Sequence, residues 1–280
     1  MATDEGMNRT GHFTPANADG QDVAIPAMVP VDATGARLGV PLNPLRTLVC
    51  SGCSQTRQVV GRNPAVSTSL ETVWSAGGLY PWSAWATPGV LVIVSDDALD
   101  VDVQVTLEGL DADGERVSET LTTDALDGTT PVTGLTTFGR LNAAYVSNGV
   151  DMQAGATIAV TRGGTTVAEI EAAYQAASLG VYSVPAGSTA EVLSVRWGTS
   201  KGDEVTAIIA SREFDGVFVA RDVTDVFDGP TAYEYGRHDV PGSGLLVGER
   251  ADIELRGIQV TGSGSAVVSG GVVVVLRPVS

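Results

Sequence analysis

The sequence predicts an all-β protein: two β-sandwich, jelly-roll-like units behind an extended N-terminal arm. Three observations predict it. Short runs alternate apolar and polar residues with period two, the pattern of half-buried strands. Gly and Pro, at 34 and 13 of 280 residues, interrupt those runs so often that the chain must reverse many times. The apolar face of any single hairpin needs further strands to cover it, and 43% hydrophobic residues supply core enough for a chain of this length.

Residues 1–60 read as the arm. Up to residue 21 the chain is polar and aperiodic. From 22 to 48 small apolar residues alternate with Pro26, Pro30, Pro41 and Pro44, which cannot donate to a sheet. Such a segment suits wrapping a neighbouring subunit and equally suits a plain linker.

Residues 61–178 read as the first β unit. A strand is expected at 68–74, a turn at Ala76-Gly77-Gly78, and a continuing strand at 90–94. The clearest pattern follows. In V-D-V-Q-V-T-L, Val101, Val103, Val105 and Leu107 share one face while Asp102, Gln104 and Thr106 share the other. The chain turns through residues 108–115, where Gly114 can supply positive φ, and returns along 116–122. Further strands are expected at 129–133, 141–146, 157–161 and 166–170. Residues 169–177, short and Ala-rich, are the one candidate helix, a connector by its length.

Residues 179–280 read as the second β unit. Strands at 181–184 and 189–197 flank the turn Pro185-Ala-Gly-Ser188 as an expected hairpin. Strands at 205–212 and 217–223 make another. Ala251, Ile253 and Leu255 alternate with Asp252, Glu254 and Arg256, and Val-rich runs at 267–268 and 272–276 close the chain as strands buried on both faces.

Charge narrows the function classes. With 16 basic against 33 acidic residues the formal charge is −17, a surface that repels phosphate backbones and anionic lipid. Direct nucleic-acid binding and membrane-surface binding are therefore not expected. The longest apolar run, at 272–276, is strand-sized and far short of a membrane span. The first ten residues lack the pattern of a secretory signal, so the expectation is synthesis in the cytoplasm and release, if any, with an assembled particle on lysis.

Candidate chemistry is sparse. Cys50-Ser-Gly-Cys53 can be two plain thiols or a short-loop disulfide. A redox centre would want a strand-to-helix junction that is missing here, and zinc would need ligands shared between subunits. Asp111-Ala-Asp113-Gly114 carries a fragment of a calcium-loop pattern without its remaining ligands, and a hairpin turn explains it. His12 and His238 leave little for general-base catalysis. The acidic pairs Asp96/Asp97 and Asp203/Glu204 fall in turns, and neither Gly163-Gly164 nor Gly270-Gly271 precedes a Lys or a helix. No enzyme activity, cofactor or metal is expected. Trp74, Tyr80, Trp82 and Trp85 are clustered. They could bind a glycan or a protein partner, or plug one end of a sandwich, the commoner fate of large aromatics.

Several stretches resemble modular β-sandwich virion structural proteins of tailed bacteriophages, marine and environmental ones especially. The resemblance rests on residues 71–80 (E-T-V-W-S-A-G-G-L-Y), 105–120 (V-T-L-E-G-L-D-A-D-G-E-R-V-S-E-T) and 128–132 (G-T-T-P-V). It continues at 138–146 (F-G-R-L-N-A-A-Y-V), 181–190 (V-Y-S-V-P-A-G-S-T-A) and 248–256 (G-E-R-A-D-I-E-L-R). The arm segments 29–39 and 43–45 resemble leaders of such proteins. One departure is Ser188, where a basic residue usually follows the Pro-Ala-Gly turn. The resemblance implies a non-enzymatic virion component that forms a homo-oligomer, a trimer by analogy, and contacts the major capsid protein or other virion proteins. A head decoration (cement) protein or head fibre is the first expectation. The alternative is a tail or neck appendage that binds host-surface glycans through Trp74, Tyr80, Trp82 and Trp85.

Overall fold

The computed structural model describes residues 55–200, 203–214, 216–227, 231–234, 244–261 and 264–279, all within the compact unit Pro41–Ser280. The expected arm up to residue 54, with His12, Cys50 and Cys53, lies outside the described residues, as does His238.

The described chain is all-β. β1 (Gln55–Val66) and β2 (Glu71–Thr72) come first, followed by a 3-10 turn at Trp82–Trp85. Then come β3 (Val92–Ser95), β4 (Gln104–Leu110), β5 (Arg116–Thr122), β6 (Val132–Thr133), β7 (Arg140–Val146), β8 (Thr157–Arg162), β9 (Thr165–Glu171) and β10 (Ala176–Ala177). The last set is β11 (Val181–Ser183), β12 (Ser188–Thr199), β13 (Glu204–Arg212), β14 (Val219–Phe227), β15 (Thr231–Glu234), β16 (Leu245–Val247), β17 (Asp252–Thr261) and β18 (Ala266–Pro278).

β3 to β10 form one sheet of eight strands, ordered β5-β4-β7-β10-β9-β8-β3-β6. The expected hairpin is at its edge: β4 and β5 pair in register from Gln104 opposite Thr122 to Leu110 opposite Arg116. Asp111 organises the turn, its Oδ1 accepting from the backbone N–H groups of Asp113 and Glu115, both at 2.9 Å. Gly114 has φ +83°, so the turn reading accounts for the calcium-like fragment. The strand starts at Gln104 and not at Val101, because Asp102 has φ +55° and breaks the extended run.

This unit differs from the expected pair of facing sheets. A single sheet curls around one core that includes Leu91, Ile93, Leu107, Phe138 and Ile158. Its two end strands, β5 and β6, are bridged by a carboxylate. Glu119 of β5 accepts the N–H of Leu135 at 2.7 Å and that of Thr136 at 3.2 Å, just past β6. The result is a near-barrel in which a side chain caps edges that would otherwise stay open.

Residues 169–177 are not a helix. β9 runs to Glu171, the chain turns with Gln175 at φ +55°, and Ala176 pairs with Glu171 on one side and Tyr145 on the other. Helix propensity over nine residues is weak. Here it loses to burial of Val167, Ala168 and Ile170 and to the pairing that joins β9 to β7.

The second unit is a sandwich of two five-stranded sheets. One is ordered β1-β18-β12-β15 with β16 also on β12; the other is β11-β17-β13-β14 with β2 also on β17. The core between them holds Val192, Trp197, Ile209, Ile253, Leu255 and Val272. β1 crosses the arm boundary expected at residue 60 and pairs with β18 from Gln55 opposite Leu276 onward. The sandwich is therefore discontinuous in sequence, with the near-barrel inserted between β2 and β11. Strands β11 and β12 do not form the expected hairpin, since β11 pairs with β17 and β12 with β18. The turn between them, with Gly187 at φ +66°, passes the chain from one sheet to the other.

β18 is one strand of 13 residues that runs straight through Gly270-Gly271. The reason is Trp197. A Cβ on Gly270 would stand 2.5 Å from Trp197 Cζ3, so glycine there makes the seat for the indole.

Candidate functional site

The clustered aromatics lie where the near-barrel meets the sandwich. Thr72 of β2 starts the arrangement, its hydroxyl accepting the N–H of Tyr80 at 2.8 Å. That bond holds the loop entering the 3-10 turn, and the turn carries Trp82 and Trp85. Trp74, Tyr80 and Trp85 are buried in the near-barrel core, while Trp82 is half-buried and packed against it. The rings meet edge to face, Trp74 with Tyr80 at 5.2 Å and Tyr80 with Trp82 at 4.8 Å.

Their polar ends are also satisfied. Trp74 Nε1 donates to the Gly78 carbonyl at 3.1 Å, Trp85 Nε1 to the Tyr80 hydroxyl at 3.2 Å and Trp82 Nε1 to Glu254 Oε2 at 2.9 Å. Burial pushes the Tyr80 hydroxyl far above the usual phenol range, so it stays protonated. A sugar platform needs open ring faces. Three of these four residues turn theirs into the core, and packing is the arrangement that describes them.

Around Trp82 stand residues that sequence reasoning did not single out. Asp252 is fully buried, and Oδ1 accepts from Arg140 Nε of β7 at 3.2 Å and from the Ser183 hydroxyl. Its Oδ2 accepts from Arg212 Nε of β13 at 2.8 Å. Glu254, two residues along the same face of β17, accepts from the Thr72 hydroxyl, from Trp82 and from Arg256 Nη2 at 2.8 Å. The guanidiniums also stack on rings. Arg212 lies 4.5 Å from the Trp82 centroid and 4.7 Å from that of Phe218, and Arg256 lies 4.5 Å from Phe218.

Chemically this is a junction. Each carboxylate is occupied on both oxygens, so neither is placed to take a proton from a substrate. Arg140 of the near-barrel reaches Asp252 of the sandwich and so joins the two units, while Arg212 and Arg256 pair with the carboxylates from within the sandwich. Among the described residues no group of three or more His, Cys, Asp or Glu could hold a metal ion, and no helix is long and apolar enough to cross a membrane. The signal for the junction is the D-I-E-L-R run of β17. Its polar face looks like a solvent face until a partner layer is known to cover it.

No protein-family model matches the chain, and no curated protein does. Among solved structures, the chain is similar to the crystal structure of the infectious bursal disease virus VP2 subviral particle, at 11% identity over 85% of this chain and 75% of that one, with TM-score 0.25. It is also similar to the structure of the infectious bursal disease virus Gt strain, at 11% identity over 81% and 72%, TM-score 0.21. A third is the crystal structure of the PBSX exported protein XepA, at 12% identity over 90% and 99%, TM-score 0.19. Likeness at this level carries no argument about function.

Proposed function

We propose that the chain is a non-enzymatic structural component of a tailed-phage virion, a head decoration or head-fibre protein that self-associates and attaches to the particle exterior. The observation that carries this reading is the edge strand β14. It ends its sheet's order, so one side of its backbone pairs with no described strand. Val219, Val223 and Phe227 on it are 56%, 57% and 60% exposed, four residues apart, with Arg221 and Asp225 between them. A nine-residue edge that exposes three large apolar side chains can template another chain, with its charges and its bulge at Arg221 restricting which partner fits.

Two further observations support the reading. The charge of −17 suits the outside of a DNA-filled shell and not its lining. The carboxylates gathered at the junction are saturated, which fits a load-sharing role and not a catalytic one. The test is electron microscopy of purified particles labelled with antibody against this chain. The expected result is regular label on the head surface; particles that carry none of the chain would overturn the proposal.

A further inference from the structure

A groove of about 220 Å³ opens between the start of β1, the β4-β5-β7 edge of the near-barrel and the segment leading into β11. Its floor is apolar, formed by Val60, Ala143, Ala176, Leu179 and Val181 among others. Cavities of about 150 Å³ already accept a benzene-sized group. The groove therefore has room for a short hydrocarbon stem and not for a drug-sized ligand, whose pockets start at about 300 Å³.

Three polar groups converge on it. Arg57 and Arg116 both line the groove, and neither has a described carboxylate at ion-pair distance. Arg116 Nη1 donates to the Gln55 amide oxygen, a neutral partner, and burial lowers its pKa from the ordinary value. Glu108, which also lines the groove, and Glu115 act on Arg116 from beyond ion-pair distance and favour its charged form. The third group is Tyr182. Tyr182 is 6% exposed and packs on the sandwich core; among the described residues its hydroxyl has no hydrogen-bond partner, and it keeps access to solvent. Glu108, the nearby acid, is already engaged by the Tyr145 hydroxyl at 2.8 Å. Burial raises the Tyr182 hydroxyl to about 12, with Arg57 and Arg116 acting on it in the opposite direction. It is a proton donor at neutral pH.

We propose that this groove binds a small organic carboxylate, its anionic head held by Arg57, Arg116 and the Tyr182 hydroxyl and its short alkyl stem laid on the apolar floor. The head would pair with two arginines that have no carboxylate in contact and accept from the Tyr182 hydroxyl, while the stem would cover apolar surface.

The test is calorimetric titration of the intact chain with octanoate, with octan-1-ol and octylammonium as controls of equal stem. Octanoate is expected to bind saturably, and the alcohol and the amine at least about tenfold more weakly. The Arg57→Ala/Arg116→Ala pair should weaken octanoate by about tenfold or more and leave the alcohol unchanged. Since neither arginine is in an ion pair, its thermal midpoint should stay near that of the parent. Tyr182→Phe should cost a smaller factor, and Ala143→Trp, which fills the groove, should abolish binding. Equal affinity for octanoate and octanol, no saturation by octanoate, or undiminished octanoate binding in the arginine pair or in Ala143→Trp would each overturn the proposal.

Discussion

Asp252→Ala is expected to destabilise the chain by ~3–5 kcal/mol, the range found when one partner of a buried ion pair is removed. Asp252 is completely buried and accepts from two arginines on different units, Arg140 and Arg212, whose side chains are 9% and 14% exposed. Removing the carboxylate leaves two largely desolvated cations facing each other beside Trp82. Arg140 keeps bonds to the carbonyls of Trp85 and Gly139, so the loss falls short of a fully unpaired charge. Asp252→Asn retains the shape and one acceptor and should cost less. Urea unfolding followed by circular dichroism checks the order wild type, Asn, Ala. An Ala variant as stable as wild type would show that the junction contributes nothing to cohesion between the two units.

Trp197→Ala is expected to cost a similar ~3–5 kcal/mol, for a different reason. Trp197 is 2% exposed in the sandwich core, and β18 gives up a side chain at Gly270 to seat it. Truncation leaves a ring-sized void walled by backbone that cannot collapse inward. The indole Nε1 also finds no acceptor among the described residues. Trp197→Phe removes that orphaned donor while keeping much of the ring volume, so its cost should be well under half that of the alanine. Thermal unfolding midpoints of the three proteins test the ranking.

What could be read from residue order follows from where burial is one-sided. The β4–β5 hairpin is legible because Val103, Val105 and Leu107 face a core while Gln104, Thr106 and Glu108 face away from it. β1 reads as arm because its partner, β18, lies about two hundred positions away and its own Arg57, Gly61 and Pro64 spoil any local pattern. Residues 169–177 read as helix because alanine content is a local signal, whereas the pairing of Ala176 with two strands is not. The most instructive case is β17. The alternation of Ile253 and Leu255 with Asp252, Glu254 and Arg256 gives the correct faces, but period two says only that a residue points away from one core. It does not say whether water or a second layer lies beyond. Here the second layer is the near-barrel, and the polar face became the junction. The aromatics show the converse: their clustering is plain, whereas the burial of three in the near-barrel core and the covering of Trp82 by residues 140, 212, 218 and 254 depend on distant partners.

The proposed role requires that this chain associate with copies of itself and with a larger shell. Sedimentation velocity of the purified protein at micromolar concentration, beside the Val223→Lys/Phe227→Lys variant, tests it most directly. A discrete oligomer is expected for the wild type and a folded monomer for the variant. A wild type that stays monomeric, or an oligomer that the two lysines leave intact, would contradict it.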